Sequence, residues 1–372
     1  MNKAKLLVLS SFPAPYRVDI FKGLAKEYKN MDIFFGNATD SNRDKDYYVE
    51  SSDLPFFVLG YSNSDNYFKK CVSNLKEYSL ILAYDWYLPY AWGILLKAIL
   101  LGVPYIVNCD GAFLSTERSL KQFMKDIGKR ILVSSARYCF ASGEYAKKYF
   151  LYYGADEENI IIHHFTSLKE SDIKKEAVSK VQKDYLKKSL RLRNRKTVIT
   201  VGQFIYRKGF DILLAAWKDL DEKYQLIILG GGELEGEYKK YIERCSYQNV
   251  FILEFMPKED LFKYYEASDI FVLPTREDIW GLVVNEAMAC GLPVITTEKC
   301  IAGMENIDNG VNGFIVPTEN PRILHDKMEY LLMNDVEREK MGRAGLDTIA
   351  GYTLQNVVNS HLQCIDKILE IG

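Results

Sequence analysis

The stretch from Leu273 to Thr296, LPTREDIWGLVVNEAMACGLPVIT, most constrains the fold of this 372-residue chain. It continues the apolar run 271–273, which Pro274 ends because proline cannot donate to a β-ladder and restricts the residue before it. Apolar and small residues then recur at helical spacing from 281 to 290, and Gly291 occupies a position at which a helix C-terminus favours positive φ. A second apolar run follows. The pattern therefore predicts strand, loop, helix, turn and strand.

Two acids lie at the predicted helix, one before it and one within it. Asp278 lies just before its start, and Glu286 lies about two turns along it. A helix start that follows a parallel strand offers unpaired N–H groups and the positive end of the helix dipole to an anion such as phosphate. Carboxylates repel phosphate and are better suited to the hydroxyl groups of a sugar or ribose. Together these features favour a sugar nucleotide as the ligand.

The stretch resembles the E-x7-E signature of retaining glycosyltransferases of the GT-B fold, family 4, whose usual form is close to E-G-F-G-L-x-x-x-E-A-M-A-x-G-x-P-V-I. Here Asp278 stands at the first glutamate. The resemblance implies that Glu286 holds ribose hydroxyls and that the N–H groups of Gly281 and Leu282 hold the diphosphate. It also implies that Asp278 is catalytic, in the sense of positioning the donor sugar. An amphipathic helix whose acids merely face solvent is the alternative.

A second element, GQFIYRKG at 202–209, resembles the family's G-R-x-x-x-x-K-G. Lys208 matches the lysine, whereas Gln203 replaces the arginine and Arg207 supplies a neighbouring charge. The resemblance implies that Arg207 and Lys208 neutralise the donor diphosphate, whose charge grows as the nucleotide departs. Salt-bridged surface cations are the alternative. Met256 lies in the loop that, by the resemblance, contacts the base through its backbone.

Strand-like runs alternate with helical spacing along most of the chain. They lie at 5–10, 31–35, 56–59, 80–83 and 105–108, and again at 197–201, 225–229, 250–253, 270–273, 294–296 and 314–316. Such alternation predicts doubly wound parallel sheets with ligands at the C-terminal strand ends. With the resemblance, we expect an α/β protein of the GT-B fold, in which two Rossmann-like domains face each other across a cleft.

The domain boundary is predicted in the lysine-rich segment 167–196, which is poor in large apolar residues and is expected to be helical and solvated. We therefore expect residues 1–190 to form an acceptor-binding domain and residues 191–352 a nucleotide-sugar-binding domain. By the resemblance, the final helix at 353–372 returns to the N-terminal domain.

Two candidate residues of the first domain stand near predicted strand ends. Asp110 aligns with a histidine that family 4 enzymes often present to the reaction centre, so it is either a catalytic residue or a cap of the next segment. Arg17 follows the first predicted strand and its stiff, proline-containing loop. It either faces substrate or is an exposed arginine at a helix start.

No metal site is expected. Asp44-Lys45-Asp46 matches the D-x-D pattern of the other large glycosyltransferase fold, but it lies in a polar run with no strand before it. His163 and His164 are adjacent, and because adjacent side chains of a strand point to opposite faces, one site is hard to build from both. The seven cysteines are odd in number and lack a C-x-x-C pair, which favours neither a disulfide framework nor zinc and indicates a reducing compartment.

Composition excludes some functional classes. The net charge of −2 gives no argument for nucleic-acid binding, and 48% hydrophobic with 26% charged residues are ordinary globular values. The longest apolar stretch, 87–107, is broken by glycine, proline and lysine, so that a buried helix leading into a strand is expected in place of a membrane span. The apolar run 6–9 is too short for a signal peptide. A cytoplasmic location is expected.

The segment Ser119–Ser134 predicts an amphipathic helix with an apolar side and a basic side. Such a helix either lies on an anionic membrane surface or packs as a surface helix on the N-terminal sheet. The family's frequent use of lipid-linked acceptors favours the first alternative, which would bring the protein to the inner face of the membrane.

The expected function is that of a retaining, metal-independent glycosyltransferase. It would move a hexose-type sugar from a nucleoside-diphosphate sugar, with a UDP-sugar favoured, to a carbohydrate or lipid-linked acceptor in surface polysaccharide or glycoconjugate synthesis. No cofactor besides the donor is expected. Two alternatives remain: a non-catalytic sugar-nucleotide-binding partner subunit of another transferase, and a GT-B-fold epimerase or hydrolase.

Overall fold

The computed structural model describes residues 4–36, 57–60, 69–70, 72–114 and 119–371, with the backbone alone at 57–60 and 371. The chain forms two compact units. Unit 1 comprises Met1–Thr166 together with Thr353–Gly372, and unit 2 comprises Ser167–Tyr352. Asp44 and Asp46 of the D-x-D pattern lie outside the described residues.

Unit 1 contains a parallel sheet in the order β3-β2-β1-β4-β5-β6-β7. Its strands are β1 Leu6–Ser10, β2 Met31–Phe35, β3 Phe57–Gly60, β4 Leu80–Ala83, β5 Tyr105–Cys109, β6 Tyr138–Ala141 and β7 Ile160–Ile162. The helices that connect them include α1 Pro15–Glu27, α2 Pro89–Leu101, α3 Leu120–Ser134 and α4 Glu144–Tyr152. Central strands such as β1, β4 and β5 are buried along their whole length, which is typical of a parallel sheet covered on both faces.

Unit 2 repeats this architecture with the sheet order β10-β9-β8-β11-β12-β13. The strands are β8 Lys196–Val201, β9 Tyr224–Leu229, β10 Val250–Leu253, β11 Ile270–Leu273, β12 Val294–Thr297 and β13 Gly313–Val316. The helices are α5 Lys180–Ser189, α6 Phe210–Trp217, α7 Glu235–Arg244, α8 Lys258–Ala267, α9 Leu282–Ala289, α10 Ile301–Asn306, α11 Pro321–Met333 and α12 Asp335–Ile349. The predicted pair of doubly wound parallel sheets is confirmed.

The last helix, α13 Leu354–Ile371, belongs to unit 1 and packs against α1. Gly23 of α1 permits the close approach, since a Cβ there would lie 2.5 Å from a methyl group of Val358. Tyr28 also donates a hydrogen bond to Asp366. These contacts, together with buried apolar side chains of α13, complete the core on one face of the unit 1 sheet.

The two units divide at 166/167, earlier than the predicted boundary at 190/191. The lysine-rich connection belongs to unit 2 because it carries specific buried contacts. Lys183 and Lys187 of α5 bond to the Asp269 carboxylate at 3.1 and 3.0 Å, and the Lys174 N–H donates to the Ala289 carbonyl at 2.9 Å. The predicted helix is present as α5, but Lys187 is buried, so the segment is not solvated at this residue.

Among the described residues, none of the helices combines the length and the apolar character that crossing a membrane requires.

Candidate functional site

In the unit 2 sheet the strand order reverses between the neighbouring strands β8 and β11. The loops that follow these two strands meet at the carboxyl ends of the strands. The Arg207 carbonyl accepts hydrogen bonds from the Thr275 hydroxyl at 2.8 Å and from the Arg276 N–H at 2.7 Å. Gly209 makes this approach possible, because its φ is 69° and a Cβ there would lie 2.1 Å from the Pro274 carbonyl oxygen. Such a switch point is where doubly wound sheets bind ligands.

Two residues predicted for different tasks form one ion pair at this point. The Lys208 ammonium bonds directly to an Asp278 carboxylate oxygen, and both side chains are buried. The Arg207 guanidinium lies 3.6 Å from the other Asp278 oxygen and is 42% exposed. Lys208 is thus salt-bridged, as the alternative reading supposed, but at a buried position. Two cations and one anion leave a formal charge of +1 in the cluster.

Arg276 fixes the loop that carries Asp278, and the sequence motifs gave no signal for it. Its guanidinium bonds to both Asp211 oxygens at 2.9 and 2.7 Å, to Glu319, and to the Tyr206 carbonyl at 2.7 Å. It also lies 3.9 Å from the centre of the Tyr206 ring. Hydrogen bonding to Asp211, with a smaller contribution from Glu319, raises the pKa of Arg276 above its ordinary value. Arg276 therefore connects the loops that follow β8 and β11.

The start of α9 lies next to this ion pair. Gly281 precedes the helix with a φ of 97°, and no side chain caps the first turn. A Cβ at Gly281 would lie 2.9 Å from the Cys300 sulphur, with the Asp278 carboxylate 3.5 Å away. Leu282 is the first helical residue, so its N–H belongs to the unpaired amides that bind anions at helix starts. The structure thus brings together Arg207, Lys208, Asp278, Gly281 and Leu282.

Glu286 lies one turn further along α9 and is half-buried. Its two carboxylate oxygens accept hydrogen bonds from the Ser167 hydroxyl at 3.3 Å and the Tyr265 hydroxyl at 3.2 Å. Burial raises the pKa of Glu286, and the nearby Lys258 ammonium opposes that increase. Met256 lies in the loop after the edge strand β10, two residues before Lys258.

In unit 1, Asp110 follows β5 and pairs with Arg17. One of its oxygens bonds to the Arg17 guanidinium and the other accepts from the Asn108 amide at 2.8 Å. Burial raises the pKa of Asp110, while the Arg17 charge opposes that increase. Asp110 belongs to unit 1 and the other predicted site residues to unit 2.

Arg17 is 3% exposed, so of its two predicted alternatives the exposed arginine at a helix start is wrong. Its guanidinium lies 4.5 Å from the centre of the Tyr84 ring. Tyr84 in turn stacks against His361 of α13, and the His361 ring centre lies 5.2 Å from that of His163. Among the described residues, the Tyr84 hydroxyl and both ring nitrogens of His163 are buried without a hydrogen-bond partner. A buried polar cluster therefore lies behind the Arg17–Asp110 pair.

His163 and His164 do not form a joint site, because His163 is buried whereas His164 is exposed with a φ of 50°. Within the described part of the chain, no group of three or more His, Cys, Asp or Glu side chains is arranged to hold a metal ion.

Residues 181–348 match the family model of the glycosyl transferases group 1. An uncharacterized glycosyltransferase of Methanocaldococcus jannaschii, MJ1178, is 31% identical over 146 residues, which cover 39% of this chain and 40% of that protein. The capsular polysaccharide biosynthesis glycosyltransferase CapM of Staphylococcus aureus is 29% identical over 150 residues, covering 39% of each chain. The chain thus spans less than half the length of these two curated relatives.

The similarity to solved structures extends over the whole chain. Anabaena Alr3699/HepE in complex with UDP superposes with a TM-score of 0.79 at 18% identity, covering 98% of this chain and 100% of that one. The UDP-glucose complex of the same protein gives a TM-score of 0.72 at 19% identity, covering 98% of each chain. The chain therefore has the GT-B fold, as predicted, and residues 181–348 of unit 2 carry the sequence pattern of group 1 glycosyl transferases.

Proposed function

We propose that this protein is a retaining glycosyltransferase of family 4, which transfers a hexose-type sugar from a nucleoside-diphosphate sugar to a carbohydrate acceptor. The observation that carries the proposal is the cluster of Lys208, Asp278 and Arg207 at the switch point of unit 2, directly beside the uncapped start of α9. Cations, a helix start and a carboxylate converge there; the first two suit a diphosphate, and the third suits the hydroxyls of a sugar.

In this proposal each group of residues binds a different part of the donor. The formal charge of +1 and the amides of Gly281 and Leu282 bind the diphosphate. Asp278 is held by Lys208 and Arg207, and it positions the donor sugar by accepting bonds from its hydroxyls. Glu286 accepts hydrogen bonds from the ribose, and the backbone near Met256 contacts the base.

The proposed reaction occurs on one face of the sugar. The bond from the anomeric carbon to the diphosphate oxygen breaks, and a bond from that carbon to the acceptor oxygen forms. The acceptor proton passes to the departing phosphate oxygen, so retention needs no carboxylate nucleophile. Negative charge grows on the leaving group, and Arg207 and Lys208 stabilise it more in the transition state than in the ground state. These cations would take the place of a metal ion.

The comparisons support the choice of donor and pathway. HepE was solved with UDP and with UDP-glucose, and CapM is named for capsular polysaccharide biosynthesis. We therefore favour a UDP-sugar as donor and surface polysaccharide or glycoconjugate synthesis as the pathway. In unit 1, Asp110 is the proposed group that meets the acceptor, since its loop follows β5 at the carboxyl edge of that sheet.

The first test is a thermal-shift screen of UDP, GDP, ADP and their common sugars. A ligand at a hundred times its Kd stabilises the folded protein by roughly 2.7 kcal/mol. We expect one nucleotide to shift the wild type and the exposed control Glu329→Ala, but not Glu286→Ala. A folded wild type that responds to none of them would contradict the donor site.

Turnover assays separate the alternatives. UDP release that depends on an added saccharide supports the transferase. Release of free sugar without an acceptor would identify a hydrolase, and a change in the donor sugar alone would identify an epimerase. Binding without turnover, restored by a second protein, would identify a non-catalytic subunit, a role that the ion-paired state of Asp278 also permits.

We further propose that α3 binds an anionic membrane surface and brings the enzyme to a lipid-linked acceptor. The helix approaches α2 through Gly128, at which a Cβ would lie 2.1 Å from a Trp92 ring atom. Its apolar stripe faces outward, with Leu120 79%, Phe123 61% and Met124 59% exposed. The same helix carries four cations and one acid, a balance that fits an anionic lipid surface.

Vesicle flotation tests this contact. We expect binding to vesicles that contain phosphatidylglycerol, little binding to phosphatidylcholine alone, and loss of binding in Phe123→Ser/Met124→Ser. Val336→Ser removes a comparably exposed apolar side chain from α12 and serves as the control. Equal flotation of the double variant and the wild type would rule out α3 as the contact.

A further inference from the structure

We propose that Lys258 is a positioning residue for Glu286, which keeps the Glu286 carboxylate charged and oriented to accept hydrogen bonds from the two hydroxyls of a ribose. The inference rests on the proposed function, in which Glu286 binds the ribose of the donor. Lys258 belongs to neither of the two sequence motifs that carry the family resemblance, and it lies on α8, not on α9. Its contribution is visible only in the folded chain.

Protein groups alone hold Glu286 weakly. Its two bonds come from the neutral hydroxyls of Ser167 and Tyr265, at 3.3 and 3.2 Å, which are long for O–H···O hydrogen bonds. Each carboxylate oxygen has further lone pairs, so the group retains capacity for a ligand that brings two donors side by side. The 2′ and 3′ hydroxyls of a ribose are such a pair.

Lys258 fixes the surroundings of that carboxylate. Its ammonium donates to the Ser167 carbonyl and to an Asp172 oxygen, each at 2.8 Å. The same Asp172 oxygen accepts from the Lys169 N–H at 2.7 Å, which closes the short 3-10 turn Glu170–Asp172. Lys258 therefore fastens the segment that presents the Ser167 hydroxyl to Glu286. Without the Lys258 ammonium, the segment would lose these two hydrogen bonds to α8.

Lys258 and Asp172 act on the Glu286 carboxylate in opposite directions. The groups that act on the Glu286 carboxylate are Lys258 and Tyr265 on α8, and Ser167 and Asp172 on the connection. Cys290 follows α9, and the Lys174–Glu266 pair lies near Cys290. Lys258 is the largest favourable charge for the Glu286 carboxylate, whereas burial and Asp172 both favour its protonated form. Removing the Lys258 ammonium would also leave Asp172 without its ion-pair partner near Glu286. Two unneutralised carboxylates would then favour uptake of a proton.

A protonated Glu286 binds ribose less well, since a carboxylic acid loses acceptor capacity and brings its own proton. Nucleotide affinity should therefore fall on acidification. In a variant without Lys258, this fall should begin at a higher pH than in the wild type. The effect should require the ribose hydroxyls.

Calorimetric titration of the full chain with UDP and with 2′,3′-dideoxyuridine diphosphate tests the inference, at about pH 8 and about pH 5.5. We expect Lys258→Met to weaken UDP binding roughly tenfold at the higher pH, which corresponds to a binding free energy of about 1.4 kcal/mol. The loss of affinity should be larger at the lower pH. Binding of the dideoxy compound should be unchanged. Lys258→Arg should restore most of the affinity, since arginine keeps the charge and can reach both acceptors.

Lys263→Met is the matched control, because it removes a lysine of the same helix that pairs only with Asp260 among the ion pairs of the described residues. It should bind both ligands like the wild type. Equal losses of UDP and dideoxy-UDP affinity in Lys258→Met would overturn the inference, as would an unchanged pH profile. A wild type that binds UDP no better than Glu286→Ala would instead contradict the proposed function itself.

Discussion

His361 should make unit 1 sensitive to mild acid. The side chain is completely buried in α13, and its ring lies 3.9 Å from the centre of the Phe140 ring. Its Nδ1 lies 2.8 Å from the Val357 carbonyl, which can only accept, so the neutral ring carries its proton on Nδ1. Burial, aided by the nearby Arg17 charge, lowers the pKa of His361 from 6.5 to about 4. His361 in the folded state therefore takes up the second proton of its ring at a lower pH than in the unfolded chain.

The sign and size of the effect follow from proton linkage. A group with a depressed folded-state pKa contributes stability that is fully present above the unfolded pKa of 6.5 and is lost as the pH falls through about 4. One pKa unit corresponds to about 1.4 kcal/mol, so the full loss in the free energy of unfolding is about 3 kcal/mol. At about pH 5 the loss is already about 2 kcal/mol.

Two measurements check this prediction. Carbon NMR of histidine-labelled protein resolves a chain with only four histidines, and the His361 signal should not titrate between about pH 7 and 5. Urea unfolding at about pH 7.5 and about pH 5 should show a larger loss of stability in the wild type than in His361→Leu, by about 2 kcal/mol. Burial lowers the pKa of His163 in the same direction, and the His361 charge adds to that shift, so the loss of stability due to His163 should be smaller in His361→Leu and add to the difference. A His361 signal that titrates near 6.5, or equal losses in the two proteins, would refute the reasoning.

Three further substitutions test other contacts. Gly209→Ala should destabilise unit 2 by at least about 1 kcal/mol and weaken nucleotide binding, because the new Cβ would lie 2.1 Å from the Pro274 carbonyl oxygen. A variant with wild-type stability in calorimetry would contradict this predicted steric strain. Asp269→Asn should cost about 3 kcal/mol in urea unfolding, since Lys187 would remain buried without a counter-charge, and a loss below about 1 kcal/mol would argue against a stabilising pair. Arg276→Lys replaces a forked guanidinium that bonds two acidic side chains and a backbone carbonyl. We expect roughly tenfold slower turnover with little change in unfolding midpoint, and unaltered kinetics would remove Arg276 from the site.

The sequence alone specified much of the architecture. Local periodicity decides whether a segment is strand or helix, and the order of these segments leaves few topologies for a parallel sheet. The predicted doubly wound sheets and the GT-B fold are accordingly confirmed. β6 and β7 were missed: β7 has only three residues, too few to show a periodic pattern, whereas β6 is as long as four-residue strands that were predicted. The site residues remain predictions, although the structure brings most of those in unit 2 to one sheet edge.

Tertiary structure decided which charged side chains meet. Lys208 and Asp278 are 70 residues apart, and no local pattern indicates that they pair. Arg17 was expected either to face substrate or to be exposed, yet a carboxylate beyond β5 and the ring of Tyr84 enclose it. Spacing along the chain encodes which face of an element is apolar. It does not encode which distant charge compensates a buried one, because that pairing depends on elements that only the folded chain brings together.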